Sequence, residues 1–511
     1  MSLDDLEYLP PSEFDLTTVA ERLPAPLHLD GAESQSGERA FYDTFDRRLR
    51  GKELRLVHEN GYLRLFGPGR ELASVSWSSP SETIRCNELD AGPLRDAIAP
   101  VCEVRVLMRT ARVRSDRRVT PVLDEEGKTV ARLVTEHAAV VDGSGASALR
   151  PRLRLVGVRG YDKELGRVRG VLEDQLELTT APEPLEDEAV IRTSGAPAFA
   201  SDSDVELTPD MPADRAAQAL SLRLLAVIEA NVPGTLADLD TEFLHDLRVS
   251  VRRTRSLQRE LKKVFPPDEL KRFRADFKWI QQVTGPTRDL DVYLLEFDEF
   301  AATVPEAQRA DLDRLRDLLA DHRTAERRAM EAALRSERMT STLRDWEALL
   351  KRLPTEVVDD RPFGVMPISE VAARRIDKVY RQMVKMGKAI DDDSPHSDLH
   401  ELRKKGKELR YLLEFFSPLF SKRVTKPMVR TLKALQDTLG RFQDREVQVA
   451  MIREAASEVG PREGGSQALM AMGVLVERLE EQQDAARAEF HDRFEAFSSS
   501  EQRALVKKTF G

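Results

Sequence analysis

The sequence predicts a multidomain chain: a strand-rich α+β domain over residues 1–180, then an all-α domain over residues 213–511. Three observations carry this. Residues 1–180 hold short stretches of β character, VSW and VRVLM among them, broken by NG, GPG, EEG and GSG turn signals, with at least one helix between them. From Ala213 onward the periodicity becomes helical, as in ADRAAQALSLRLLAVIEANV and ISEVAARRIDKVYRQMVKMG, with almost no strand-like alternation. Between them, residues 181–212 are rich in Pro, Ser, Ala and acids with little periodicity, the composition of an exposed interdomain linker.

Composition narrows the function classes. A chain of 511 residues suits two to four domains at about 150 residues each. With 41% hydrophobic and 33% charged residues, it reads as globular with many exposed helices rather than disordered. The two cysteines, Cys86 and Cys102, give neither a disulfide framework nor metal-ligand spacing, which implies a reducing compartment. No segment approaches the roughly 18 apolar residues of a membrane span, and the acidic start MSLDDLEYL lacks a basic signal-peptide region, so a cytoplasmic protein without a membrane partner is expected. At a net charge of −10, anion binding requires a local concentration of Lys and Arg.

That concentration is found in HDLRVSVRRTRSLQRELKK, residues His245–Lys263. His245, Arg248, Arg252, Arg255, Arg259 and Lys262 recur at steps of three and four, a single helix face carrying almost only positive charge. Leu244, Leu247, Val251, Leu257 and Leu261 form the apolar side. Like charges at this spacing repel by a few tenths of a kcal/mol per pair, so an uninterrupted row implies an anion that fills it. The alternative, a merely solvated face, is the ordinary fate of single Lys and Arg residues.

A second copy argues against that alternative. HELRKKGKELRY, from His400 to Tyr411, repeats the motif at an offset of 155 residues, pairing His245 with His400, Arg248 with Arg403, Arg252 with Lys407 and Arg255 with Arg410. The offset also aligns KWIQQVTGPTRDLDV from Lys278 with KALQDTLGRFQDREV from Lys433. The all-α half is therefore an internal duplication, about 213–355 and 366–507, whose halves are expected to be related by approximate two-fold symmetry. The second stripe carries His400, Arg403, Lys407 and Arg410, flanked by Lys404 and Tyr411, while Lys278, Arg288 and Lys433 add charge from later helices. Facing stripes would form one groove. The duplicated histidines suit an anion contact, since imidazole donates to phosphate and gains charge near pH 6.5. A metal site is not expected, because neither motif brings a Cys or second His at ligand spacing and the striped face lacks carboxylates.

A cationic groove fits an anion of repeating charge: polyphosphate, nucleic acid, nucleotides or inositol phosphates. Single-stranded nucleic acid usually finds stacking aromatics along its basic track, and only Tyr411 and Trp279 lie nearby, Trp279 in an apolar run. Polyphosphate needs only spaced guanidinium and ammonium donors.

FLHDLRVSVRRTR, LHELRKKGKELRY and the paired G-x-x-R-D and G-x-x-x-D segments resemble the CHAD family, the conserved-histidine α-helical domain, from about Ala213 to the C-terminus. Ala230–Gly234 and Asp240–His245 resemble the lead into that family's first motif helix. The resemblance implies two pseudo-two-fold-related four-helix bundles around a basic central groove, inorganic polyphosphate as ligand and polyphosphate granules as location. Carried over, it implies a binding set of His245, Arg248, Arg252, Arg253, Arg255, Lys278, Arg288, His400, Arg403, Lys407, Arg410 and Lys433, to which the stripes add Arg259, Lys404 and Tyr411.

Upstream, FYDTFDRRLRGKELRLVHENGYLRL at Phe41–Leu65 resembles the YYDT-L-R-L-K segment of the CYTH family, the triphosphate-tunnel fold. A working tunnel needs Glu-x-Glu-x-Lys on its first strand and further strand carboxylates to hold Mg²⁺ or Mn²⁺. The start EYLPPSEFDL has no such motif, RPRLRLVG offers Arg152 and Arg154 instead, and Arg132 falls where another Glu is expected. Arg55, Arg64, Arg109, Arg112 and Arg114 are candidates to line a cationic barrel. The expectation is a degenerate CYTH-like domain whose catalytic carboxylates are missing. The chain is then a non-enzymatic polyphosphate binder without cofactors, with polyphosphate-granule proteins as further partners. The alternatives are a triphosphatase or polyphosphatase activity in the N-terminal domain and nucleic-acid binding by the groove.

Overall fold

The computed structural model describes residues 5–11, 14–68, 70–78, 81–142, 145–194, 205–354 and 360–511. It divides into two compact units, Met1–Phe199 and Ala200–Gly511. The central part of the expected linker, residues 195–204, and two residues of the GSG turn lie outside the described residues.

The first unit is built on one antiparallel sheet, consistent with a tunnel-like fold. Its strands are Asp5–Leu9 (β1), His28–Leu29 (β2), Glu33–Thr44 (β3), Arg55–Glu59 (β4), Tyr62–Gly67 (β5), Arg70–Ser76 (β6), Thr83–Ile84 (β7), Leu107–Leu123 (β8), Thr129–Asp142 (β9), Gly145–Ala148 (β10), Arg152–Gly157 (β11) and Thr179–Thr180 (β12). The order is β12-β1-β11-β9-β8-β3-β4-β5-β6, with β10 on β9 and β2 and β7 on β8. Alternation gives the sheet two different faces. Leu6, Leu133, Leu153 and Leu155 on one side pack against the helix Asp162–Gly170, and Tyr42, Leu56 and Leu65 against Pro93–Cys102.

The opposite face corrects two expectations. First, its carboxylates are not lost: Glu7, Glu59 and Glu136 occupy it, each paired with arginine. Arg39 binds Glu136, Arg117 binds Glu59, and the fully buried Arg152 lies 3.6 Å from Glu7. Burial raises the Glu7 carboxyl even though Arg152 and Arg154 oppose it. Second, part of the expected linker is structure: Leu185–Ser194 is a helix whose Leu185, Ala189 and Val190 pack on Phe41, Val57, Val113 and Val140. Its Glu188 accepts from Arg152 at 2.6 Å, its Asp187 from Arg50 at 2.7 Å, and burial pushes its Glu186 up to about 7. Of the arginines expected to line a barrel, register puts Arg55 and Arg64 on this face, while Arg112 and Arg114 bind Glu38 and Arg109 binds Glu82.

The second unit is all helical. Its principal helices are Ala213–Ala237 (α1), Thr241–Glu260 (α2), Pro267–Val283 (α3), Gly285–Leu295 (α4), Asp313–Leu334 (α5), Glu337–Arg352 (α6), Ile368–Gly387 (α7), His396–Phe416 (α8), Lys422–Val459 (α9), Gly465–Ala488 (α10), Phe490–Phe497 (α11) and Ser500–Phe510 (α12). The duplication governs where helices begin: α1 and α7, α2 and α8, and α3 and α9 each start 155 residues apart. One bundle is α1, α2, α3 and α6; the other is α7, α8, the first half of α9, and α11 with α12. Both share one continuous apolar core, and α4, α5, the far half of α9 and α10 enclose a second.

The two-fold relation is written in the backbone. Pro212 pairs antiparallel with Pro367, its own counterpart. Ala213 N donates to Met366 O at 2.9 Å and Ile368 N to Met211 O at 2.8 Å, a symmetric pair. Asp214 N to Gly364 O and Ser369 N to Pro209 O form another. The repeats differ at one helix break. Pro286 ends α3 near Thr284, because proline lacks an N–H and clashes with the preceding turn, whereas Arg441 stands at that position in the second repeat and α9 runs on for 38 residues.

One further expectation is corrected. α1 contains an 18-residue window of mean hydropathy 1.2, long and apolar enough by composition to cross a membrane. Half of that window is buried, with Ala217, Leu220, Leu224 and Ile228 in the shared core.

Candidate anion-binding groove

Local signals fix α2. The Asp240 side chain accepts from the backbone N–H groups of Glu242 and Phe243 at 2.9 and 3.3 Å, capping the helix start. Phe243 then lies on Gly234, where an added Cβ would come within 2.3 Å of the ring, so only glycine admits this contact. Leu244, Leu247, Val251, Leu257 and Leu261 all enter the core, leaving the basic stripe on the other side.

That stripe forms one wall of a groove of about 750 Å³. Arg252, Arg255, Arg259 and Lys262 come from α2 and its end, Lys271, Arg274 and Lys278 from α3, and Lys404, Lys407 and Tyr411 from α8. Nine cations thus converge from both repeats, with Glu408 the one acidic lining residue. Glu408 is held by Lys405 at 2.7 Å. Among the described residues, Arg252, Arg255, Lys262, Lys271, Arg274, Lys278 and Lys407 make no ion pair, whereas Arg259 pairs with Glu260 and Lys404 with Glu401. Charge crowding is felt: burial and the neighbouring Arg259 and Arg274 lower Arg255, which donates to Gln281 Oε1. The Lys407 side chain opens into the groove, but the walls around it displace water. That desolvation, with Arg403 and Arg252 nearby, pushes its ammonium down to about 8.

The groove gathers seven of the expected residues, Arg252, Arg255, Arg259, Lys278, Lys404, Lys407 and Tyr411. Lys271 and Arg274 were not singled out, although with Lys278 they follow the same steps of three and four.

Other expected residues are engaged elsewhere. Arg248 is buried beneath the α3–α4 turn, donating to Gln281 O at 2.9 Å and Thr284 Oγ1 at 3.0 Å, and burial pushes it down to about 10. Arg403, its counterpart, binds Asp444 at 3.0 Å. Gly285 and Gly440 are the nearest glycines to these two guanidinium groups, where an added Cβ would stand 3.5 and 3.8 Å away in ordinary contact, so the repeat keeps the same neighbour without a steric need for it. Arg253 is buried over the Phe415 ring, 5.0 Å from its centroid. Arg288 donates to Thr241 O at 3.1 Å and faces Glu242 at 3.6 Å. His400 meets Gln443 through Nδ1, and neither His400 nor His245 lines the groove. Arg410 and Lys433 open onto a separate, smaller pocket.

Comparison with known proteins agrees on the helical half. Residues 219–453 match the family model of the CHAD domain. Among solved structures, the chain is similar to the CHAD domain from the plant Ricinus communis, at 25% identity and TM-score 0.49, over 58% of this chain and 96% of that one. It is also similar to PptA from Streptomyces chartreusis, at 18% identity and TM-score 0.43, over 56% of this chain and 99% of that one. No curated protein matches the chain.

Proposed function

We propose that this chain, whose helical half is a CHAD domain, is a non-enzymatic binder of inorganic polyphosphate, held in the groove between α2, α3 and α8. The observation that carries the reading is nine converging cations, seven of them without an ion-pair partner among the described residues. A row of unneutralised guanidinium and ammonium groups offers a multivalent anion spaced charge-assisted donors. Tyr411 is the one aromatic lining residue, and the half-buried Trp279 is covered by Arg338 at 4.2 Å, which leaves no track of stacking rings for nucleic-acid bases. In the same reading the first unit is not a catalyst, since Glu7, Glu59 and Glu136 are engaged by arginines where a metal ion would require them free. Docking on polyphosphate would concentrate the protein, in the cytoplasm, at polyphosphate granules.

Titration of long-chain polyphosphate into the full chain, repeated across salt concentrations, tests this. Affinity is expected to fall steeply as salt rises, because each neutralised phosphate releases a counterion. Salt-independent or absent binding rejects the reading. Release of phosphate from tripolyphosphate with Mg²⁺ or Mn²⁺ would reject its non-catalytic part.

Lys407 adds a pH signature. Affinity is expected to drop as pH rises through about 8, where the ammonium loses its proton, and Lys407→Gln should flatten that drop. The unliganded protein should move the other way. The folded state disfavours the charged form relative to the ordinary value of 10.5, so stability rises as pH increases from about 8 toward 10.5. Opposite slopes in affinity and thermal stability identify the same ammonium; parallel slopes would exclude it.

A further inference from the structure

The groove has a counterpart. Displaced by 155 residues, its α2–α3 walls fall on a pocket of about 260 Å³ between α8 and α9. Arg410, Lys433 and Gln436 stand there where Arg255, Lys278 and Gln281 stand in the groove. Lys407 and Lys426 keep the charge of Arg252 and Lys271, while three other cations of those walls are replaced: Arg259 by Glu414, Lys262 by Ser417 and Arg274 by Val429. One copy has kept its charge; the other has lost three positive groups and gained a negative one.

Hydrogen bonding follows the substitution. In the groove, Arg255 donates to Gln281. In the pocket, Arg410 Nε donates to Glu414 Oε1 at 2.6 Å instead. Gln436, 9% exposed, is left with neither its amide nitrogen nor its oxygen paired among the described residues. A buried amide without a hydrogen bond is unfavourable, so Gln436 marks where the arginine–glutamine pairing of the first repeat is broken in the second.

We propose that Glu414 confines polyanion binding to one of two equivalent pockets, and that the pocket of Arg410, Lys433 and Gln436 is a latent phosphate site. The inference rests on the polyphosphate reading of the groove. Glu414 acts twice, drawing Arg410 away from Gln436 and repelling any phosphate oxygen that enters. The cationic track is therefore one-sided despite the two-fold backbone.

Calorimetric titration of tripolyphosphate into full-length wild type, Glu414→Gln and Glu414→Arg tests it, with the same substitutions repeated in an Arg252→Glu/Lys407→Glu background. Glu414→Arg is expected to take up one more equivalent than wild type and to restore uptake in the background that lacks the groove. Glu414→Gln should add a weaker second event. The Glu414 side chain is 32% exposed, so both variants should fold, with thermal melts as the control. If wild type binds while both variants titrate like it, or if the double-reversed background alone still takes up anion in this pocket, the role of Glu414 is overturned and the groove stands. If no version of the protein binds, the groove reading fails and this inference fails with it.

Discussion

Replacing Arg252 and Lys407 together by glutamate is expected to weaken polyphosphate binding by about 100-fold to 10,000-fold, at two charge-assisted contacts of roughly 1.5–3 kcal/mol each. The two residues are repeat counterparts, and both line the single groove, where the repeats meet. The slope of log affinity against log salt should also fall by about 2. Folding should not suffer. Arg252 has no ion pair to lose among the described residues, and Lys407 is destabilised by its surroundings, so the thermal midpoint should hold or rise. Loss of binding with an unchanged melt supports a contact role; wild-type affinity in the double variant would remove the groove from the function.

The stripe on α2 was legible because helical spacing alone places Arg252, Arg255, Arg259 and Lys262 on one face. Its end was not. Arg248 continues the same spacing but passes under the α3–α4 turn, a helix crossing that no local pattern encodes. On α8 the repeat register singles out Arg403, Lys407 and Arg410, whereas the groove takes Lys404, Lys407 and Tyr411. The reason is geometric: two-fold-related helices offer opposite flanks to a groove lying on one side of the axis. The helix Leu185–Ser194 escaped notice because its apolar positions are few, and it is held by the apolar patch of Phe41 and Val57 that only the folded sheet assembles. The duplication itself, down to the helix starts, was readable from one offset. The arginine-paired carboxylates Glu7, Glu59 and Glu136 were not, because they come from three separate strands.

Trp346→Ala is expected to cost about 3–5 kcal/mol of stability, the range for truncating a fully buried aromatic. Trp346 has no exposed surface and sits on α6 against Phe265, Phe273 and Phe277, with ring centroids 5.6, 4.9 and 5.6 Å away. Two of these phenylalanines belong to α3, the helix whose other face carries Lys271, Arg274 and Lys278 into the groove. Removing the indole therefore leaves a cavity behind a groove wall, and binding should weaken even at temperatures where the variant remains folded. Trp346→Phe should lose less on both counts, because the indole N–H has no hydrogen-bond partner among the described residues. Thermal melts and polyphosphate titrations of the two variants separate the effects. If Trp346→Ala lowered stability but left affinity intact, the seat of α3 on the core would not be what holds its cations in the groove.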